Sequence, residues 1–247
     1  MASTSESGHA KNVTNLETLI TAITAFGTSY NPSRGNLKLT TLQTLLTATK
    51  ESFNQVNTTQ SSYSIAVDAR EVTFSSFGKL VTRISNALKA SDITTQVDES
   101  AQTIIRKLRG KRAGTKLTDE EKATLQAEGK EVTQISVSQM GYDSRLDNFE
   151  KLITLLSTVS EYSPNEEELK VESLQAVYND LKTKNTDVIT NYIQLDNARN
   201  SRNDVLYKES TGLVDIASDS KTYIKSVFGA TSPQYKQISK LTFIKRE

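Results

Sequence analysis

The chain has 247 residues, of which 36% are hydrophobic and 6% aromatic, with 30 Lys and Arg against 29 Asp and Glu and a formal net charge of +1. This balance excludes an overall electrostatic attraction to nucleic acid or to an acidic membrane. The absence of cysteine excludes disulfides, thiolate metal ligands and thiol nucleophiles. Three Pro and ten Gly are few for the turns of a strand-rich fold, so the composition predicts an all-α protein.

The N-terminal stretch, residues 1–12, is polar and contains three Ser, with one Gly, one His and one Lys. Such a segment buries too little apolar surface to become ordered, so we expect a disordered tail there. The stretch lacks the apolar core of a secretory signal, and the chain has no run of about eighteen apolar residues that would span a membrane. The sequence therefore predicts a cytoplasmic protein without a membrane span.

One stretch of the chain occurs twice. The residues NLETLIT from Asn15 match NFEKLIT from Asn148, and the turn at Tyr30 matches the turn at Tyr162. The two stretches share eleven identities, first at an offset of 133 and then, after the turn, at an offset of 132. Self-similarity at a fixed spacing indicates an internal duplication. We therefore predict helical repeat 1 at 13–114 and helical repeat 2 at 148–247.

Repeat 1 is expected to contain two helices and a shorter third. Thr14 and Glu17 fit a capping box that begins a helix, and a turn rich in Pro and Gly follows. From about Leu37 to Leu88, apolar residues recur every seven positions on two seam lines, as in helices that pack side by side. The first line runs through 42, 49, 56, 63, 70, 77 and 84, and the second through 46, 53, 60, 67, 74, 81 and 88. A helix of this length would reach about 75 Å, so we expect an elongated molecule.

Later elements follow the same plan. The T-x-x-E box at Thr118 predicts a connecting helix within 115–147. In repeat 2 we expect a helix to about Tyr162, a long helix over 167–228, and a last helix opened by Ser232 with Pro in its first turn. The predicted fold is an elongated helical bundle of long antiparallel coiled-coil-like helices, built from two tandem repeats.

The sequence offers no plausible catalytic, cofactor or metal site. His9 is the only histidine and lies in the predicted tail, so it supports neither a Ser-His-Asp arrangement nor a His-ligated zinc. The acidic groups at 119–121 and 166–168 fall in first turns of predicted helices, where negative charge complements the helix dipole. We expect no enzyme activity and no cofactor.

Two arginines stand out because they interrupt a seam. Arg70 lies on the first seam line, and Arg202 occupies the matching place in repeat 2. If both point inward they need carboxylate partners, for which Asp68, Glu71, Asp196 and Asp204 lie nearby in the sequence, and they would act as register pins. Alternatively the local register slips and both arginines lie on the surface. The sequence allows such a slip, since Arg70 can also be aligned with Arg199.

Both repeats end in a basic segment that could bind an anion such as a phosphate backbone. Cations at helix C-termini are also favoured by the helix dipole alone, so solvated helix ends are the alternative interpretation. The candidate anion-binding residues are Arg106, Lys107, Arg109, Lys111, Arg112, Lys236, Lys240, Lys245 and Arg246.

These patterns favour a non-catalytic structural or scaffold protein that self-assembles or binds a protein partner through helix faces. The alternative hypothesis is binding of nucleic acid or another polyanion through the basic segments that end the repeats. The long seams favour the first, because amphipathic helices of this length exist to pack against other helices.

Overall fold

The computed structural model describes residues 4–111 and 140–245, together with Thr124 and Ala127. Its regular elements are helices, and the described residues contain no strand, which confirms the all-α prediction. The helices are α1 (Thr4–Phe26), α2 (Leu39–Ser75), α3 (Phe77–Lys89), α4 (Thr95–Leu108), α5 (Tyr142–Ser157), α6 (Val171–Tyr207), α7 (Leu213–Phe228) and α8 (Pro233–Ser239). None of them is both long enough and apolar enough to cross a membrane.

The chain divides into two compact units that do not follow its order. Unit 1 comprises Met1–Ser64 and Asn191–Glu247, and unit 2 comprises Ile65–Thr190. Helices α2 and α6 each contribute one part to unit 1 and the other part to unit 2. Each unit therefore combines elements from both predicted repeats. The repeat boundaries at 13–114 and 148–247 stay a prediction from the sequence.

The core of unit 1 forms where α1 meets α7 and α8. Its side chains sit on one face of each helix because they recur every three or four residues, as Leu16, Leu19 and Ile23 do in α1. The fully buried members from the later helices are Leu206, Leu213, Ala217, Ile224 and Ile238. Burying such side chains stabilises the unit by about 1.5–3 kcal/mol each.

The core of unit 2 has the same plan with different elements. Helix α4 packs against α5 and α3, and the turn before α6 packs against α3. Phe77 and Phe149 meet edge to face with ring centroids 4.9 Å apart, a favoured aromatic geometry. The other fully buried members are Val81, Ile84, Leu88, Ala101, Ile105, Leu152, Leu156, Leu174 and Leu181.

Two turns of matching construction lead into the long helices. In unit 1 the hydroxyl of Tyr30 donates to the carbonyl oxygen of Leu37 at 2.7 Å. In unit 2 the hydroxyl of Tyr162 donates to the carbonyl oxygen of Leu169 at 2.8 Å. Each turn contains a 3-10 segment, Gly35–Leu37 or Glu167–Leu169. Helices α2 and α6, which follow, each have 37 residues.

The N-terminal stretch differs from the predicted disordered tail over 1–12. Helix α1 begins at Thr4, and Asn12 is buried. The reason is tertiary: His9 is buried against Tyr207, with ring centroids 5.5 Å apart, which a polar composition does not reveal. Thr14 is therefore inside the helix, where its hydroxyl donates to the carbonyl oxygen of Ala10, and not at a capping box.

The long helices are shorter than predicted. The helix expected from Leu37 to Leu88 is divided at Ser76 into α2 and α3, although Ser76 keeps helical backbone angles. The helix expected over 167–228 is interrupted between α6 and α7, where Ser210 has a φ of 61°. That left-handed conformation cannot continue a helix.

Other helix ends match the sequence signals. Gly229 ends α7 with a φ of 87°, a conformation that favours glycine. Ser232 caps α8 by accepting a hydrogen bond from the backbone N–H of Tyr235 at 3.1 Å, with Pro in the first turn. The predicted connecting helix in 115–147 falls mostly outside the described residues.

Candidate interaction surfaces

Arg70, one of the two predicted register pins, is half-buried in unit 2. Its Nη1 donates to Oδ1 of Asn185 at 3.1 Å, and its guanidinium carbon lies 3.9 Å from the ring centroid of Tyr142. The amide of Asn185 in turn donates to Asp143 at 2.7 Å. The buried Asn185 amide therefore links the guanidinium to a carboxylate, and the aromatic ring covers one face of the cation.

Arg145 lies in the same region of unit 2. Its guanidinium carbon is 4.9 Å from the ring centroids of both Phe74 and Phe77. Desolvation by burial lowers the pKa of Arg145, and its interaction with Tyr142 opposes this change. Two cations on one aromatic cluster show that unit 2 uses aromatic faces to accommodate arginine.

Arg202, the second predicted pin, is buried in unit 1. It donates to the side-chain oxygen of Asn203 from Nε at 3.3 Å and from Nη2 at 3.1 Å. Its guanidinium carbon lies 5.9 Å from the ring centroid of Phe53. Arg199, the alternative counterpart of Arg70, is half-buried and donates to Gln60 at 2.9 Å. A role of Arg70 and Arg202 in setting register stays a prediction.

The basic segment of repeat 1 lies at the end of α4, in unit 2. Arg106 and Lys107 occupy the last helical turn, and Arg109 is the C-cap residue. Lys111 is exposed, and Arg112 falls outside the described residues. Among the described residues, no ion pair involves any of the four described cations of this segment, which are Arg106, Lys107, Arg109 and Lys111.

The basic segment of repeat 2 is arranged differently, in unit 1. Lys236 and Lys240 are exposed on and after α8, whereas Lys245 forms an ion pair with Asp215 at 2.9 Å. The hydrogen bonds from Lys245 and from the Ser210 amide lower the pKa of Asp215. Arg246 lies beyond the described residues. Counting only described residues, this segment therefore has fewer cations without an ion pair than the first.

A contact that the sequence did not predict holds residues 241–245 against α1. The buried Asn12 side chain donates to the carbonyl oxygen of Ile244 at 2.9 Å and accepts from its amide at 3.1 Å. Asn15 donates to the carbonyl oxygen of Thr242 at 2.7 Å. Helix α7 contacts the start of the same segment, because Lys221 Nζ donates to the carbonyl oxygens of Ser239 and Leu241. Burial lowers the pKa of Lys221.

A groove of about 540 Å³ opens on unit 2 beside the junction of α2 and α3. Its apolar lining comes from Phe77 and Leu80 on one side and from Val177 and Leu181 of α6 on the other. The polar lining residues are Thr73, Ser76, Lys79, Arg83, Glu167, Glu168 and Ser173, of which Arg83 and Glu168 form an ion pair. The groove is apolar at its base with charges at its rim, as in surfaces that receive apolar side chains.

Large apolar side chains are exposed on the two long helices. On α2, Ile65 is 68% and Val72 is 72% exposed, and on α6, Ile189, Tyr192 and Ile193 are about half exposed. Sequence reasoning missed Ile65 and Val72, because they lie outside both predicted seam lines. Their seven-residue spacing was the available signal, since it places both side chains on one helix face.

The described residues contain no group of three or more His, Asp or Glu side chains able to hold a metal ion. Comparisons of the chain with protein-family models, with curated proteins and with solved structures found no match.

Proposed function

We propose that this chain is a non-catalytic helical scaffold that self-assembles or binds a protein partner through the exposed apolar faces of α2 and α6. The observation that carries the proposal is the exposure of Ile65, Val72, Ile189 and Ile193 on those helices. Covering apolar surface releases about 25 cal/mol per Å², so a second helix face would bind there favourably.

The proposal includes an internal duplication, which supplies a comparison within one chain. Support comes from the matched turns, in which Tyr30 and Tyr162 donate to carbonyl oxygens seven residues later. It also comes from the equal lengths of α2 and α6. At an offset of 132, each position of α2 then has a counterpart in α6.

The counterparts of the exposed apolar residues are polar. Ile65 and Val72 correspond to Asn197 and Asp204, and Ile189 and Ile193 correspond to Asn57 and Ser61. A helix of the same kind therefore tolerates polar residues at these four places. Each of the four positions is apolar in one copy and polar in the other, which favours a role in binding over a role in folding.

The test is a variant in which all four residues take their counterparts, I65N/V72D/I189N/I193S. Circular dichroism should show the same helicity in the variant and the wild type. Light scattering of the purified proteins should show larger particles for the wild type than for the variant. Gel filtration of native extract should show the same difference. Wild type and variant running as the same monomer in both settings would contradict the proposal.

A second candidate function is binding of a polyanion at the end of α4. It is favoured by Arg106, Lys107 and Arg109, which form no ion pair with any residue that the structure describes. Binding through phosphate contacts weakens steeply as salt rises. Charge reversal in R106E/K107E/R109E should then abolish retention on a single-stranded nucleic acid column at 50 mM salt, while K236E/K240E serves as a control at the other basic segment. Equal retention of the two variants would exclude this site.

A further inference from the structure

A stripe of exposed residues runs along one face of α2 into α3 within unit 2. Its members recur at spacings of three and four residues, which places them on the same side of a helix. Ser76 keeps helical backbone angles between the two helices, so the face continues across the junction. The stripe consists of Ile65, Asp68, Val72, Ser76 and Lys79, all of them exposed.

The stripe leads directly into the unit 2 groove. Ser76 and Lys79 belong to the stripe and also line the groove. Thr73, next to Val72, is a further lining residue. One face thus carries protruding apolar side chains and, beside them, an apolar depression. A surface that presents both can bind a copy of itself about a twofold axis, because each copy then supplies what the other receives.

Charges along the stripe specify the direction of such pairing. Asp68 lies toward one end and Lys79 toward the other, about 16 Å apart along an ideal helix. Within the described part of the chain neither forms an ion pair. In an antiparallel arrangement, Asp68 of each copy meets Lys79 of the other, whereas a parallel arrangement places like charges together.

We propose that this face is a twofold interface between two copies of this chain, in which Ile65 and Val72 of each copy cover the groove of the other. The inference rests on the proposed scaffold function and names both the surface and the occupant. The duplication argues that the fold does not require this stripe, since the counterparts of Ile65 and Val72 are Asn197 and Asp204, both exposed.

Sedimentation equilibrium of the full chain tests the apolar part. We expect a dimer whose dissociation constant rises about a hundredfold in I65N/V72D, because four apolar side chains lose their cover. V227N on α7 is the control, because the Val227 side chain is 44% exposed and lies outside the proposed binding faces, and it should dimerise like the wild type. Circular dichroism and urea unfolding verify that both variants fold.

Charge exchange and cross-linking test the geometry. D68K or K79D alone should weaken the dimer about fivefold, and D68K/K79D should restore it, since the pair is then reversed and intact. Because the chain has no cysteine, an equimolar mixture of D68C and K79C chains should oxidise to the mixed dimer in preference to either homodimer. A preference for homodimers would overturn the antiparallel arrangement.

The remaining outcomes separate this inference from the proposed function. If the wild type self-associates and I65N/V72D does so equally well, the interface proposed here is wrong while a scaffold that assembles through another face stands. If the pure wild type is monomeric at millimolar concentration, the twofold interface is also wrong. If the wild type is monomeric but forms a larger complex in native extract, and I65N/V72D does not, the partner on this face is a different protein.

Discussion

The hydroxyl of Tyr162 donates a hydrogen bond to the carbonyl oxygen of Leu169 at 2.8 Å, and both residues are buried. This bond ties the end of the turn after α5 to the 3-10 segment that opens α6. Tyr30 and Leu37 form the same bond before α2 at 2.7 Å. A buried carbonyl oxygen that lost its donor would keep the full penalty of desolvation, so these bonds specify how each long helix begins.

Replacing Tyr162 by Phe should lower the free energy of unfolding by about 1–2 kcal/mol, because the ring still fills its site but the Leu169 carbonyl oxygen loses its donor. Y30F should have a similar effect. Urea unfolding monitored by circular dichroism measures the change. Y192F is the control, since the Tyr192 ring is about half exposed, and its stability should stay within 0.5 kcal/mol of wild type. An equal loss in Y192F would contradict this role for the turn bonds.

Alkaline pH should destabilise unit 2 through the same tyrosine. Burial, together with the charge of Glu166, raises the pKa of Tyr162 to about 12, whereas an unfolded tyrosine titrates near 10. Because the folded state favours the neutral phenol, its contribution is complete below about pH 10 and is lost as the pH rises toward about 12. A shift of this size corresponds to about 2–3 kcal/mol.

The measurement is the unfolding free energy of wild type and Y162F between pH 9 and 12. The advantage of the wild type over Y162F should shrink across this range and reverse near its upper end, since Y162F has no phenol to titrate at that position. A difference that stays constant with pH would show that Tyr162 does not titrate as proposed.

The seam pattern predicted much of the burial but not the helix boundaries. Of the first seam line, Leu42, Val56, Phe77 and Ile84 are buried, because a seven-residue period follows one face of a helix. Ser76, between α2 and α3, is neither Pro nor Gly, so the sequence carries no breaking signal there, and its backbone angles stay helical. A local pattern therefore predicts the buried face of a helix better than the residue at which its hydrogen bonding is interrupted.

The N-terminal residues and the interaction surfaces depended on contacts distant in sequence. The ring contact between His9 and Tyr207 joins residues almost two hundred positions apart, and no local composition reports it. The exposure of Ile65 and Val72 could not be inferred either, because a heptad pattern does not tell which apolar line faces solvent. The division into units formed from both ends of α2 and α6 is likewise a property of tertiary packing.

Removing the Asn12 side chain should release residues 241–245 from α1. In N12A both the carbonyl oxygen and the amide of Ile244 lose their partner, and we expect faster hydrogen exchange in this segment and a loss of about 1–2 kcal/mol in stability. N12D would bury a carboxylate and turn one of its oxygens toward the carbonyl oxygen of Ile244, so it should speed exchange at least as much as N12A does.

The control for that experiment is N15A, which removes a bond to the carbonyl oxygen of Thr242 but none to a backbone amide. Exchange at Ile244 should therefore change less in N15A than in N12A. Equal exchange in wild type and N12A would mean that other contacts, such as those of Lys221 with Ser239 and Leu241, hold the segment by themselves.

The buried amide of Asn185 should couple energetically to Arg70. N185A removes the acceptor for the Arg70 guanidinium and the donor to Asp143, and we expect a loss of about 1–3 kcal/mol because a buried polar network is left unsatisfied. R70M keeps an aliphatic chain over the ring of Tyr142 and should be less destabilising. In the double mutant the two losses should fall short of their sum by about 1 kcal/mol.

The pair formed by Arg199 and Gln60 in unit 1 is the matched comparison for this cycle. Both of its residues are half-buried, so solvent can replace the lost bond in R199M and Q60A, and the coupling should be below about 0.5 kcal/mol. Urea unfolding of the wild type, the four single mutants and the two double mutants measures both cycles. Stronger coupling in the Arg199 pair than in the Arg70 pair would contradict the idea that burial of Asn185 makes the Arg70 contact specific.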